Sequence, residues 1–168
     1  MIEYRIIERP AFEVIGKKTW IAGTDNDLFG RFWEQCRAEG LFEIFEKITG
    51  FQPGPQTRGV TLGISCVEKD PTNRDFYYLI AVEKPQDYKN IELESYQVPA
   101  SQWAVFECRG KVPESIVQAE MFAFTQWLPA SEFIHANAPE IEVYPPESDG
   151  QSEDNYCEFW LPIKSTQT

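Results

Sequence analysis

Histidine is nearly missing from this chain. His135 is the only one among 168 residues, and there are only two methionines. A histidine-based metal site or a Ser-His-Asp triad is therefore not expected, and His135 reads as a loop or surface residue. No apolar run approaches the roughly 18 residues that a membrane-spanning helix needs. The opening residues Met1 to Arg5 lack the apolar core of a secretory signal, so the expected location is the cytoplasm. The four cysteines, Cys36, Cys66, Cys108 and Cys157, are scattered with no C-x-x-C pair. They read as reduced, buried small hydrophobes, and neither a metal nor a cofactor is expected. Positive charge is also scarce: 15 Lys and Arg stand against 27 Asp and Glu, for a net charge of −12. With no Lys/Arg run to form a local exception, phosphate backbones and anionic membranes should repel the chain, while cations should be drawn to it.

Rings and carboxylates are present in their place. Aromatic residues make up 14% of the chain and hydrophobic residues 42%. That supports a globular fold, with more rings than a core alone requires and so candidates for lining a cavity. The length suits one compact domain, residues 1–168.

Two halves, about 1–88 and 89–168, follow one order of strand, helix, strand, strand. In the first, a strand pattern surrounds Phe12-Glu13-Val14-Ile15, and Thr24-Asp25-Asn26 supplies N-cap chemistry. The helix that follows carries Phe29, Phe32, Trp33 and Cys36 on one stripe, with Gly40 as a C-cap. Strands come next at Val60 to Ile64 and Phe76 to Lys84, separated by a polar hairpin loop from Glu68 to Arg74. In the second half, Ile91 to Gln97 and Trp103 to Arg109 flank Pro99-Ala100. Pro113 and Glu114 open a helix whose stripe reads Val117, Met121, Phe124, Leu128, and Pro129 stops it. Strands follow at Glu140 to Tyr144 and Tyr156 to Lys164. Matching Lys84 with Lys164 sets Tyr78 over Glu158, and Pro10-Ala11 matches Pro99-Ala100. The plan is α+β: two β-α-β-β units sharing one sheet system, with a pseudo-twofold cleft, helices on one side and a cavity on the other.

The last strand carries the sharpest functional signal. In Tyr156-Cys157-Glu158-Phe159-Trp160-Leu161, side chains alternate, so Tyr156, Glu158 and Trp160 share a face. A carboxylate among rings must be paired, neutralised, or matched by a cationic ligand. One reading is a pocket for lipophilic cations; the other is an ordinary ion pair with a nearby Lys or Arg.

Four blocks then make the chain resemble the GyrI-like small-molecule-binding domain, the effector-binding domain of some AraC- and MerR-type transcription activators. They are Val98 to Cys108, Gln126 to Ser131, Glu140 to Pro146 and Cys157 to Ile163. The resemblance implies a tandem of SHS2-type units in a curved antiparallel sheet with a central ligand cleft. It also implies bulky aromatic cations as ligands and Glu158 as the central glutamate. The cavity lining expected from it is Tyr78, Trp103, Tyr144, Tyr156 and Trp160, with Trp127 closing either the pocket or the core.

No helix-turn-helix segment is recognisable, so a free-standing binding protein is expected, with no direct contact to nucleic acid; a monomer is expected because the two-unit chain supplies its own symmetric partner. Two alternatives follow from the resemblance. One is hydrolysis of cyclopropane-bearing genotoxic compounds by Glu158 with Tyr78 or Tyr156. The other is interaction with a protein partner, either DNA gyrase or a transcription regulator.

Overall fold

Apolar residues alternate along most of the extended segments on both faces, which demands cover on both sides of a sheet. A computed structural model, describing residues 2–22, 27–89 and 92–166, shows how this is met. The strands are β1 (Tyr4–Arg9), β2 (Phe12–Ile21), β3 (Thr61–Cys66), β4 (Phe76–Glu83), β5 (Glu94–Val98), β6 (Ser101–Arg109), β7 (Phe133–His135), β8 (Glu140–Tyr144) and β9 (Tyr156–Ser165). The helices are α1 (Asp27–Ala38), α2 (Leu41–Thr49) and α3 (Glu114–Phe122). The chain continues from α3 through a π-type turn, Ala123–Trp127, and a last turn, Leu128–Ala130.

The nine strands form one antiparallel sheet in the order β1-β6-β9-β8-β3-β4-β2-β5, with β7 added beside β9. Its centre is symmetric: β6-β9-β8 mirrors β2-β4-β3, each unit contributing its first, last and middle strand in that order. The α+β architecture with duplicated units is thus present. The expected Thr24-Asp25-Asn26 cap lies outside the described residues.

Curvature comes from a long ribbon. Arg9 pairs with Ser101, and Phe12 pairs with Val98, without a register shift across the break. β1–β2 and β5–β6 therefore run as one bent strand pair that joins the two ends of the sheet. The bend falls at Pro10-Ala11 and Pro99-Ala100, where proline cannot donate to the ladder.

This closure fills the helix-free face. Val14, Leu62, Ile64, Leu79, Ala81, Trp103, Val105, Ile141 and Trp160 pack together inside the curl, and all are buried. The cavity expected on that face is replaced by a packed core. α1 and α2 cover Ile15, Tyr78, Ile80 and Val82 on the other face, while α3 covers Phe106, Cys157, Phe159 and Leu161 on that same face.

Two helix details differ from the sequence pattern. Gly40 is left-handed (φ 83°), as a helix end requires, but α2 starts directly after it and buries Leu41 and Phe45. In α3 the packed residues are Ser115, Ile116, Ala119 and Ala123, whereas Val117 and Met121 are 48% and 61% exposed. Small residues let the helix sit close to Phe106 and Phe159. The π-type turn then inserts an extra residue per turn and rotates Trp127 onto the core.

Candidate functional site

Between the two helix groups, no helix among the described residues packs on the centre of the sheet. The register fixes what lies there. Ile80 pairs with Gly63, Gly63 with Glu142, Glu142 with Phe159, and Phe159 with Phe106, so these five share the helix-side face. Ile80 lies beneath α1 and α2, and Phe159 and Phe106 lie beneath α3. Gly63 and Glu142 form the floor of the groove between them.

Three side chains converge on that floor. Tyr78 Oη donates to Glu142 Oε1 at 3.0 Å, and Tyr144 Oη donates to the same oxygen at 2.6 Å. Trp33, from α1, donates its Nε1 to Tyr78 Oη at 3.1 Å and meets the Tyr144 ring edge-on at 5.4 Å. On its other side, Trp33 stacks on Phe42 of α2. The hydroxyl of Tyr78 reaches Glu142 only because β3 carries glycine here. A Cβ on Gly63 would overlap Tyr78 Oη and lie 2.8 Å from Glu142 Oε1.

The electrostatics of this cluster are unusual. Burial pushes the Glu142 carboxyl above its ordinary range, the two tyrosine hydroxyls pull it back down, and the Glu140 charge adds to the rise. Burial and the adjacent carboxylate hold both tyrosines firmly protonated. Among the described residues no Lys, Arg or His pairs with Glu142, and its Oε2 takes no donor while the side chain stays half-buried. A neighbouring carboxylate, Glu140, is satisfied quite differently. It accepts from both terminal nitrogens of Arg74, at 3.1 and 3.4 Å, and lies 3.1 Å from His135 Nε2.

Glu158 sits on the opposite face. Val143 pairs with Glu158, which in turn pairs with Glu107, placing the carboxylate at the rim of the curled interior. It is 7% exposed and accepts from Tyr156 Oη at 2.6 Å and Trp160 Nε1 at 3.0 Å. Arg5 completes the set with an ion pair at 3.0 Å. This cluster borders a crevice of about 140 Å³ lined also by Arg58, Pro145 and Glu147. Ligand pockets for drug-sized molecules run to roughly 300–1,000 Å³, so the crevice is small for a bulky aromatic guest.

The residues expected to line one pocket therefore divide. Tyr78 and Tyr144 meet at Glu142 on the helix side. Tyr156 and Trp160 meet at Glu158 on the inner side, where Trp103 packs against Trp160 at 5.6 Å between ring centres. Trp127 belongs to neither: it stacks on Phe133 and packs edge-on against Phe106 under α3. Sequence reasoning passed over Glu142, Gly63 and Trp33 as site residues. The available signal was the Glu142-Val143-Tyr144 alternation, which repeats the spacing of Tyr156-Cys157-Glu158 in reverse.

Comparison with known proteins agrees with the fold. The family profile of the GyrI-like small molecule binding domain matches residues 2–164, and the chain belongs to this family. The transcriptional regulator BrlR of Pseudomonas aeruginosa is 31% identical over 111 residues. That match covers 66% of this chain and 36% of BrlR, so the matched segment is well under half of that relative. The solved structure of SAV2435 bound to tetraphenylphosphonium has a TM-score of 0.78 at 23% identity, covering 96% of this chain and 94% of that one. A transcription regulation protein from Staphylococcus aureus MU50 has a TM-score of 0.72 at 22% identity, covering 98% and 100%. At these identities the two structures share the fold.

Proposed function

We propose that this GyrI-like domain binds bulky, hydrophobic aromatic cations in the groove between α1 and α3, with Glu142 as the counter-charge. The observation that carries the reading is a deep carboxylate that accepts only tyrosine hydroxyls and has no cationic partner among the described residues. A charge in that state is costly unless something cationic arrives. The rings of Trp33 and Tyr144 beside it supply faces for stacking and cation–π contact, about 0.5–2 kcal/mol for each good contact. That SAV2435 shares the fold and is described with tetraphenylphosphonium bound supports the ligand class. No helix among the described residues is long and apolar enough to cross a membrane.

The sequence pattern also points to Glu158 as a cation ligand, but Arg5 already pairs with it, which favours Glu142. Trp33 lies beside Tyr144 at this site, hydrogen-bonded to Tyr78 and stacked on Phe42. Entry of a ligand requires this side chain to swing, which gives a fluorescence signal.

The test is a fluorescence titration with tetraphenylphosphonium and with tetraphenylborate, which has the same shape and the opposite charge. The cation should bind at least tenfold tighter, equivalent to about 1.4 kcal/mol. Equal affinities, or tighter binding of the anion, would refute the reading.

A second reading, hydrolysis, has one specific observation in its favour: a carboxyl raised by burial and flanked by two tyrosine hydroxyls resembles a general acid or base in an apolar site. Release of a hydrolysed product from an aryl cyclopropane substrate, lost in Glu142→Gln, would establish it; binding without turnover would leave the domain a receptor.

A further inference from the structure

One carboxyl beside the groove has no assigned task. Glu120 lies on α3 next to Ala119, on the side that faces the sheet, and is half-buried. No hydrogen bond or ion pair holds it among the described residues. The charged and titratable groups around it come from several elements. Glu142 and Glu140 on β8 act on it as like charges, and Arg74, ahead of β4, acts as the opposite charge. Tyr78 on β4 and Cys108 on β6 feel its charge in turn.

Arg74 is not available to neutralise it. Its guanidinium is committed to Glu140 and to the Pro71 carbonyl at 2.9 Å, and it lies between the rings of Phe76 and Phe124, at 5.3 and 5.9 Å. Glu140 has a second contact from His135 as well. Glu142 and Glu120 thus have no hydrogen-bonded or ion-paired cation among the described residues, Arg74 acting on Glu120 only through its charge.

Taking the groove as the ligand site, we propose that Glu120 is a specificity-determining residue that suits the site to aromatic ligands carrying two positive charges. A singly charged ligand needs only Glu142. A second charge on the same framework gives Glu120 a partner that none of the described residues provides. Glu120 is tolerable without that partner because burial, with Glu142 and Glu140 adding to it, raises its carboxyl to about 8, so near neutral pH it is largely protonated and carries no isolated charge. Binding of a dication ionises it and releases its proton to solvent. The site therefore exchanges a proton for the second positive charge.

The test uses calorimetric titration at pH 7.5 and physiological salt with p-xylylenebis(pyridinium), a dication, and N-benzylpyridinium, its singly charged counterpart. Repeating each titration in two buffers of different ionisation enthalpy reads proton release. In the unaltered protein the dication is expected to bind about tenfold tighter and to release a fraction of a proton. In Glu120→Gln the release should disappear and the dication should lose about tenfold, while N-benzylpyridinium stays within about twofold. Equal losses for both ligands, or unchanged proton release, would overturn the role of Glu120. Glu142→Gln separates this from the groove reading itself: if that substitution leaves N-benzylpyridinium binding unchanged, or if neither ligand binds the unaltered protein, the groove reading fails and the role of Glu120 with it.

Discussion

Tyr78 and Tyr144 donate to one and the same oxygen of Glu142, from strands that lie on either side of β3. Both hydrogen bonds go to Oε1, and no donor among the described residues reaches Oε2. They also stabilise the ionised carboxylate against the effect of its own burial. Removing one donor should therefore raise the Glu142 carboxyl further. In Tyr78→Phe, cation affinity at neutral pH is expected to fall about three- to tenfold, the equivalent of about 1 kcal/mol and within the range of a single hydrogen bond. Its pH profile should move upward, because a carboxyl with a higher pKa loses its charge earlier as pH falls. Titrations between pH 5 and 9 check both effects.

Gly63→Ala tests the close approach on the groove floor. The added methyl would overlap Tyr78 Oη and crowd Glu142 Oε1, both pinned by mutual hydrogen bonding. A loss of about 1–3 kcal/mol in stability is expected. Cation affinity should fall alongside it, because the displaced tyrosine hydroxyl no longer reaches the carboxylate. Denaturant unfolding and one ligand titration measure the two effects.

Stability should depend on pH through Glu120. Its carboxyl is raised to about 8 in the folded protein, above the unfolded value, so the folded state holds the proton more tightly. The stabilisation is complete below the unfolded value and is lost as pH rises toward 8. Relative to Glu120→Gln, the unaltered protein should therefore lose melting temperature between pH 5 and 8.5. Thermal melts of the two proteins across that window would contradict the assignment if their difference stayed constant.

Arg5→Met addresses the other face. It leaves Glu158 buried with Tyr156 and Trp160 as donors but without its cation. Arg5 is itself about half exposed (47%), so the loss should lie between those of surface and fully buried pairs, about 1–2 kcal/mol. Affinity for tetraphenylphosphonium should stay within about twofold.

The strand alternation in β9 was fully legible. Tyr156, Glu158 and Trp160 do share a face, and Cys157, Phe159 and Leu161 do form the helix-side core. Which face carries the groove was not legible, because both faces are covered, one by helices and one by the curl of the sheet. The curl depends on the ribbon pairing of residues 4–16 with 94–106, a contact that no local pattern announces. Matching Lys84 with Lys164 also slipped the two units by one residue. The pairing row places Ile80 with Phe159, and Gly63 beside Glu142, as pseudo-symmetric partners. A slip of one residue exchanges the faces, and it set Tyr78 over Glu158 when the two point to opposite sides. Glu142, in turn, sits in a short strand that reads as half-solvated. Only the β3–β8 pairing moves it to the centre of the sheet.

The central claim rests on which carboxylate meets the cation. The most direct measurement is the dissociation constant of tetraphenylphosphonium for the unaltered protein, Glu142→Gln and Glu158→Gln, followed by tryptophan fluorescence. The account predicts a loss of tenfold or more, about 1.4 kcal/mol, in Glu142→Gln and a change within about twofold in Glu158→Gln. The reverse order, with Glu158→Gln abolishing binding and Glu142→Gln leaving it intact, would contradict the account and move the site to the Arg5 rim.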